Sequence, residues 1–332
     1  MKRREFLALG VGVPAVFAQD AARTPPPAAP RSQQILDEWK SVLGDPPSAE
    51  TPGFDDAAWQ AVRVPHNWED YQGYQRKSHG NLHGTAWYRR RIHVDPAQRG
   101  RRFFIEFEGV GSYAAVWLNG HRLGEHNGGR TCFTFDLTEH LLFDGPNILA
   151  VRAHHPAMID DLPYVCGGCW GSPNTEGSQP LGIFRPVRLL VTNPVRIAPF
   201  GVHVWTPELS AGRAVVRTAV EVTNHGANAA PAAVRSTILD AAGRVLATSD
   251  TPPVTLAPGA SHVFEHASTP IDHPHLWSPD DPYLHRARTI VIAQDRPVDS
   301  IDSTFGMRWI EWPAAGDSDA TGDGGGDRKS VV

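Results

Sequence analysis

Residues 113–124 read YAAVWLNGHRLG. Tyr113 to Leu118 is an apolar run, and Asn119-Gly120 separates it from a second short run. Both turn residues tolerate positive φ, so the pair predicts a two-residue type I′ hairpin. Working outward, Phe103 to Glu108 (FFIEFE) places Phe103, Ile105 and Phe107 on one face of a strand. Asn147 to Ala153 (NILAVRA) and Val187 to Val191 (VRLLV) read as further strands. The one helical signal is Asp55 to Ala61 (DDAAWQA), with two aspartates where a helix N-terminus favours negative charge. Many short strands broken by Gly and Pro turns predict a sandwich.

A second β unit follows. Arg213 to Thr223 (RAVVRTAVEVT) alternates, with Ala214, Val216, Thr218, Val220 and Val222 on one face. Val234 to Leu239, Arg244 to Thr248, His262 to His266 and Arg288 to Ala293 continue at intervals of about ten residues, the spacing of an immunoglobulin-like sandwich. The 332 residues allow about two domains at roughly 150 residues each. A net charge of −5 offers no basic excess for a phosphate backbone, so no nucleic-acid partner is expected.

The chain opens MKRREFLALGVGVPAVFA. Lys2, Arg3 and Arg4 precede an apolar run too short to span a bilayer, ending in small residues at the −3 and −1 positions. This is the order of a signal peptide over residues 1–18, of twin-arginine or general secretory type. Export to the periplasm or beyond is expected, with no membrane association after cleavage. Residues 19–34, with three consecutive prolines, read as a linker. Residues 307–332 read as a Gly/Asp-rich tail that ends DRKSVV, a hexapeptide that sequencing-adapter DNA would encode, so truncation of a longer reading frame is the expectation.

Eight stretches, in order, match one family. They are FDDAAWQAVRVPHNW (54–68), GTAWYRR (84–90), FEGVGSYAAVWLNG (107–120), GEHNGGRTCFTF (124–135) and GIFRPV (182–187), then LWSP (276–279), PYL (282–284) and FGMR (305–308). The chain resembles the N-terminal half of glycoside hydrolase family 2, which includes β-galactosidases, β-glucuronidases and β-mannosidases. The resemblance implies an all-β arrangement: a jelly-roll, galactose-binding-like sandwich over residues 35–197, then an immunoglobulin-like sandwich over 198–306. It also implies that the catalytic (β/α)8 barrel would follow. Only 24 residues come after Arg308, whereas such a barrel takes about 250. No position here can receive either catalytic Glu, and no catalytic residue is assigned.

Substrate-contact candidates come from loops. Glu176, six residues before Gly182, stands where the galactosidase branch uses an acidic residue toward the sugar, and a solvated loop Glu is the alternative. Asn81 and His83 lie in YQGYQRKSHGNLH (71–83), a loop that some members use to close over substrate. Trp170, in a Gly-rich loop, is the tryptophan to test for contact with a sugar. Trp59, Trp68, Trp87, Trp117 and Trp277 belong to motifs that pack. Cys166 and Cys169 are candidates for a local disulfide, with two free buried thiols as the alternative. With His154 and His155 they could also be read as half a zinc site, but no metal or cofactor is expected. Three functions compete: the non-catalytic front of an exported, β-galactosidase-like glycosidase acting on a β-glycoside, a stand-alone carbohydrate-binding module, and a scaffold. The sugar, the linkage and the oligomeric state are not legible.

Overall fold

A computed structural model describes residues 31–71, 74–75, 80–156 and 181–309. Asn119 and Gly120 both have positive φ, 52° and 83°, and Leu118 pairs with His121 across them. The hairpin is therefore the two-residue turn that the sequence specifies. Its strands, Tyr113–Leu118 and His121–Asn127, form one edge of a six-stranded antiparallel sheet. Inward from that edge come Asn147–His155, Gly84–Ile92, Glu38–Leu43 and finally Gln60–Arg63. A four-stranded sheet faces it, in the order Arg31–Ile35, Val187–Thr192, Arg102–Phe107, Phe133–Asp136.

The core lies between these sheets. Phe103, Ile105 and Phe107 are fully buried, against Tyr88, Val116, Leu118 and Leu149 from the other sheet. Their alternation follows the two-residue period of a strand. The outer face of the six-stranded sheet is covered as well. There Trp87 and Trp117 stack with centroids 5.1 Å apart, and Phe54 and Trp59 pack against them.

Residues 55–61 are not helical. Asp55 Oδ1 accepts the Ala57 N–H at 2.9 Å, forming an Asx turn, and the chain then enters the strand Gln60–Arg63. Tertiary charge overrides the local signal. Asp56 is turned inward, where it accepts from Lys40 Nζ at 2.9 Å and from the buried Arg89 Nε at 3.0 Å. Burial would raise the Asp56 carboxyl, but these two hydrogen bonds outweigh it and hold the group below the usual carboxylate range.

The second sandwich packs one sheet of Val195–Leu209, Arg213–Asn224 and Ser261–Ala267 on another of Val245–Asp250, Ala230–Leu239, His285–Ala293 and Arg296–Phe305. Ala214, Val216, Thr218, Val220 and Val222 are all at most 2% exposed. The all-β, two-sandwich arrangement expected from the sequence is the one observed.

The edges of the two units fall elsewhere than expected. Residues 31–34, read as linker, form with Ile35 the strand Arg31–Ile35, paired with Val187–Thr192. The change of sheet falls at Asn193–Pro194, because Val195 already pairs with Asn224 in the second sandwich. Met307, read as tail, is fully buried, and its carbonyl accepts the Trp277 N–H at 2.9 Å.

Candidate functional site

The end of the six-stranded sheet that faces the loops is set by register. His155 pairs with Gly84, His154 with Thr85 and with Tyr113, and Tyr113 with Asn127. The chain therefore enters the sheet at Gly84 and leaves it at His155 side by side on one rim. Antiparallel pairing makes this obligatory: a strand that begins at Gly84 and one that ends at His155 must bring those two ends together.

His154 and His155 are successive strand residues, so their side chains leave opposite faces of the sheet. His154 Nδ1 lies 3.0 Å from Thr85 Oγ1. His155, fully buried, lies on the core side with Nδ1 2.8 Å from Ser112 Oγ. The two imidazoles therefore do not converge on one ion. Burial pushes His155 down to about 4, with the neighbouring His83 and His154 adding to the shift. It is neutral at pH 7, and its Nε2 has no partner among the described residues.

His83 is exposed and lies flat on His155, ring centroids 5.2 Å apart and planes 6° from parallel. A neutral ring beneath it gives His83 a rigid platform at the rim. Asn81 lies in a two-residue strand, Gly80–Asn81, whose partner is Tyr74–Gln75. Asn81 ends that short strand, and His83 follows two residues later, immediately before Gly84–Ile92. Glu176, Trp170, Cys166 and Cys169 lie outside the described residues.

A buried network supports the rim from below. The Tyr88 hydroxyl accepts the Trp68 Nε1–H at 3.0 Å and lies 2.9 Å from His66 Nδ1. Asn67 Oδ1 accepts the Leu181 N–H at 2.6 Å. His66, Asn67 and Trp68 belong to the PHNW stretch, which thus fixes the chain where it returns at Leu181. Gly182 has φ +62°, and a Cβ there would meet Trp68 Cδ1 at 2.6 Å. Only glycine lets the chain pass this close.

Further out, Arg152 grips Asp45 with Nε and Nη2, the shorter contact 2.7 Å, and Trp87 Nε1 donates to the same carboxylate at 2.6 Å. The hydrogen bond from Arg152 is the main reason the Asp45 carboxyl stays below its usual range. Ser112 lies in the FEGVGSYAAVWLNG stretch and Arg152 in the 147–153 strand, but neither stands out there as a site candidate. Their roles follow from cross-strand register, which pairs Arg152 with both Trp87 and Ala115.

Trp68 and Trp87 are buried, while Trp59, Trp117 and Trp277 are partly covered. The expected packing role fits each of these positions.

Comparison with known proteins adds an independent line. Residues 38–193 match the sugar-binding domain of glycosyl hydrolases family 2, and residues 200–308 match a second domain of glycosyl hydrolases family 2. A β-galactosidase of Bacteroides ovatus is 31% identical over 277 residues, covering 82% of this chain and 31% of that protein. A β-glucuronidase of Formosa agariphila is 28% identical, covering 82% of this chain and 29% of that protein. Among solved structures, a β-glucuronidase from glycoside hydrolase family 2 superposes with a TM-score of 0.75 at 27% identity, over 85% of this chain and 31% of that one. A putative β-galactosidase from Bacteroides fragilis gives 0.71 at 25% identity, over 85% and 42%. The chain spans about a third of the length of the curated relatives it matches.

Proposed function

Because the chain belongs to glycoside hydrolase family 2, we propose that it is the substrate-facing, non-catalytic front of an exported β-glycosidase of β-galactosidase type. The observation that carries this reading is the rim. The strand ends Gly84 and His155 meet there, and the exposed His83 ring lies parallel to the neutral, buried ring of His155. A planar ring at an exposed rim suits a sugar, which offers an apolar ring face and hydroxyls. Asn81, His83, Trp170 and Glu176 are the residues assigned to it. Hydrolysis with retention needs two carboxyl groups about 5–5.5 Å apart, and no residue of this chain is assigned to that pair.

Support for the galactosidase type comes from the 31% identical relative, but other relatives carry the name β-glucuronidase, so the test covers both. The purified chain should show no turnover of nitrophenyl β-galactoside, β-glucuronide or β-mannoside. It should bind galactose weakly, in the millimolar range, and lose that binding with His83→Ala. Turnover intrinsic to the chain would overturn the non-catalytic assignment. Saturable glycan binding that ignores His83 would move the site elsewhere and favour a stand-alone carbohydrate-binding module. Export is proposed from the N-terminal charge and hydropathy order. Sequencing of the secreted product should start at Gln19, and a cytoplasmic product that begins at Met1 would contradict it.

A further inference from the structure

The seam between the two sandwiches holds a cleft of about 230 Å³, lined from one side by Arg31, Gln33 and Thr134 and from the other by Arg196, Phe200 and Ser303. Arg196 is 4% exposed, yet among the described residues no carboxylate lies within ion-pair distance of it. Its Nε has no partner there, and its Nη1 makes one long contact, 3.5 Å, to the Ile197 carbonyl. One face of its guanidinium rests on the Phe104 ring at 3.6 Å. The nearby acids are already engaged. Asp299 accepts from Arg31 Nε and Nη2, from the Ile197 N–H and from the Ser300 N–H. Asp136 accepts from Arg102 and from the Thr138 N–H. Glu106 also lines the cleft and faces Arg188. Arg31 is matched by Asp299, and Arg188 is shared between Glu106 at 3.5 Å and the closer Glu108, so among the described residues Arg196 is the guanidinium lining the cleft that has no carboxylate within 4.0 Å. Thr134 Oγ1, lining the same cleft, is buried and unpartnered too. A buried charge is costly unless it is paired, so such an arrangement is completed by an anion. At the mouth stands Phe200, 69% exposed, with φ +56°, a backbone region that bulky side chains rarely adopt and that clusters at ligand clamps.

We propose that this seam cleft is a binding site for a small oxyanion-bearing ligand, a carboxylate or sulfate group, with Arg196 as its charge partner and Phe200 as an apolar face at the mouth. The site lies on the four-stranded sheet, whereas the proposed sugar rim lies on the six-stranded one. Its walls come from both sandwiches, so a bound ligand ties them together. The shared chemistry has two sources, a free small anion or the charged group of an acidic sugar, and Phe200 distinguishes them.

The test uses the full chain in calorimetric titration and thermal melting, with acetate, inorganic sulfate, glucuronate and neutral glucose as probes. Saturable binding of an anion but not of glucose, with a raised melting temperature, is expected. Arg196→Lys should weaken it about tenfold by losing the planar fork. Arg196→Met, checked for folding by circular dichroism, should abolish it. If Phe200→Ala weakens glucuronate selectively, the ligand is an acidic sugar. If it leaves acetate and glucuronate alike, the ligand is a free anion. No saturable anion binding at concentrations on the order of 10 mM, equal binding of glucose, or binding unchanged in Arg196→Lys would overturn the proposal.

Discussion

Arg31 and Asp299 stand 268 positions apart, yet they form a two-pronged ion pair, Nε to Oδ1 at 2.9 Å and Nη2 to Oδ2 at 2.7 Å, across the seam. Asp299 is fully buried and Arg31 nearly so. The same carboxylate also accepts the Ile197 N–H at 2.8 Å, and Asn193 Nδ2 donates to the Val298 carbonyl at 2.6 Å. The sandwiches are therefore joined by directional bonds as well as by a short crossing.

Asp299→Ala should cost about 3–5 kcal/mol, because it leaves a buried guanidinium and a buried N–H without their acceptor. Urea denaturation would measure it. A loss under about 1 kcal/mol would mean that water replaces the carboxylate and the seam is wetter than described.

Phe104 tests the seam from its apolar side. It lies on the outward face of its strand, yet it is 3% exposed, covered by Arg196 and by the His225 ring at 5.9 Å. Phe104→Ala should cost about 3–5 kcal/mol, comparable to a core phenylalanine. It should also split a single unfolding transition into two. A surface-like loss of a few tenths would contradict the packing.

His155 makes stability depend on pH. Its ordinary value of 6.5 in the unfolded chain falls to about 4 when folded, so the unfolded state binds more protons between those limits. Stability is fully present above pH 6.5 and is lost as pH falls toward 4, by on the order of 2–3 kcal/mol. Equilibrium denaturation of the wild type and His155→Gln across this window isolates the effect: the variant should have a shallower slope. An equal slope would assign the dependence to other groups.

Gly182→Ala should cost about 2–5 kcal/mol, combining a left-handed backbone with a clash against Trp68 and Tyr88. Tryptophan fluorescence would report the displaced indole. Gly145→Ala is the control, since a Cβ there would have nothing within 4 Å, and it should change stability by about 0.5 kcal/mol or less.

Much of the fold was legible because its signals are local. Asn119-Gly120 specifies its own turn, and the 103–107 and 214–222 alternations mark their own inward faces. What failed did so through distant partners. The two aspartates at 55–56 look like a helix start until Lys40 and Arg89 claim Asp56. Phe104 looks like an outward residue until a second sandwich covers it. Of the proposed site, His83 and Asn81 are legible only as polar loop residues that draw attention in the sequence. The stacking of His83 on His155 and the contact with Ser112 depend on strand register, which no short motif encodes.

The strand Arg31–Ile35 has a consequence for the order of assembly. It is made early, but its one ladder partner among the described residues is Val187–Thr192. At roughly 5–20 residues per second, the chain waits on the order of 10 s before that partner exists, and longer before Asp299 does. During synthesis this strand is an unpaired edge with most of its hydrogen-bonding groups open, the kind of segment that recruits other chains. Four of its five side chains are exposed in the finished fold, and its sequence, RSQQI, is mostly polar. That composition suits a strand that must stay soluble on its own until the rest of the sheet arrives.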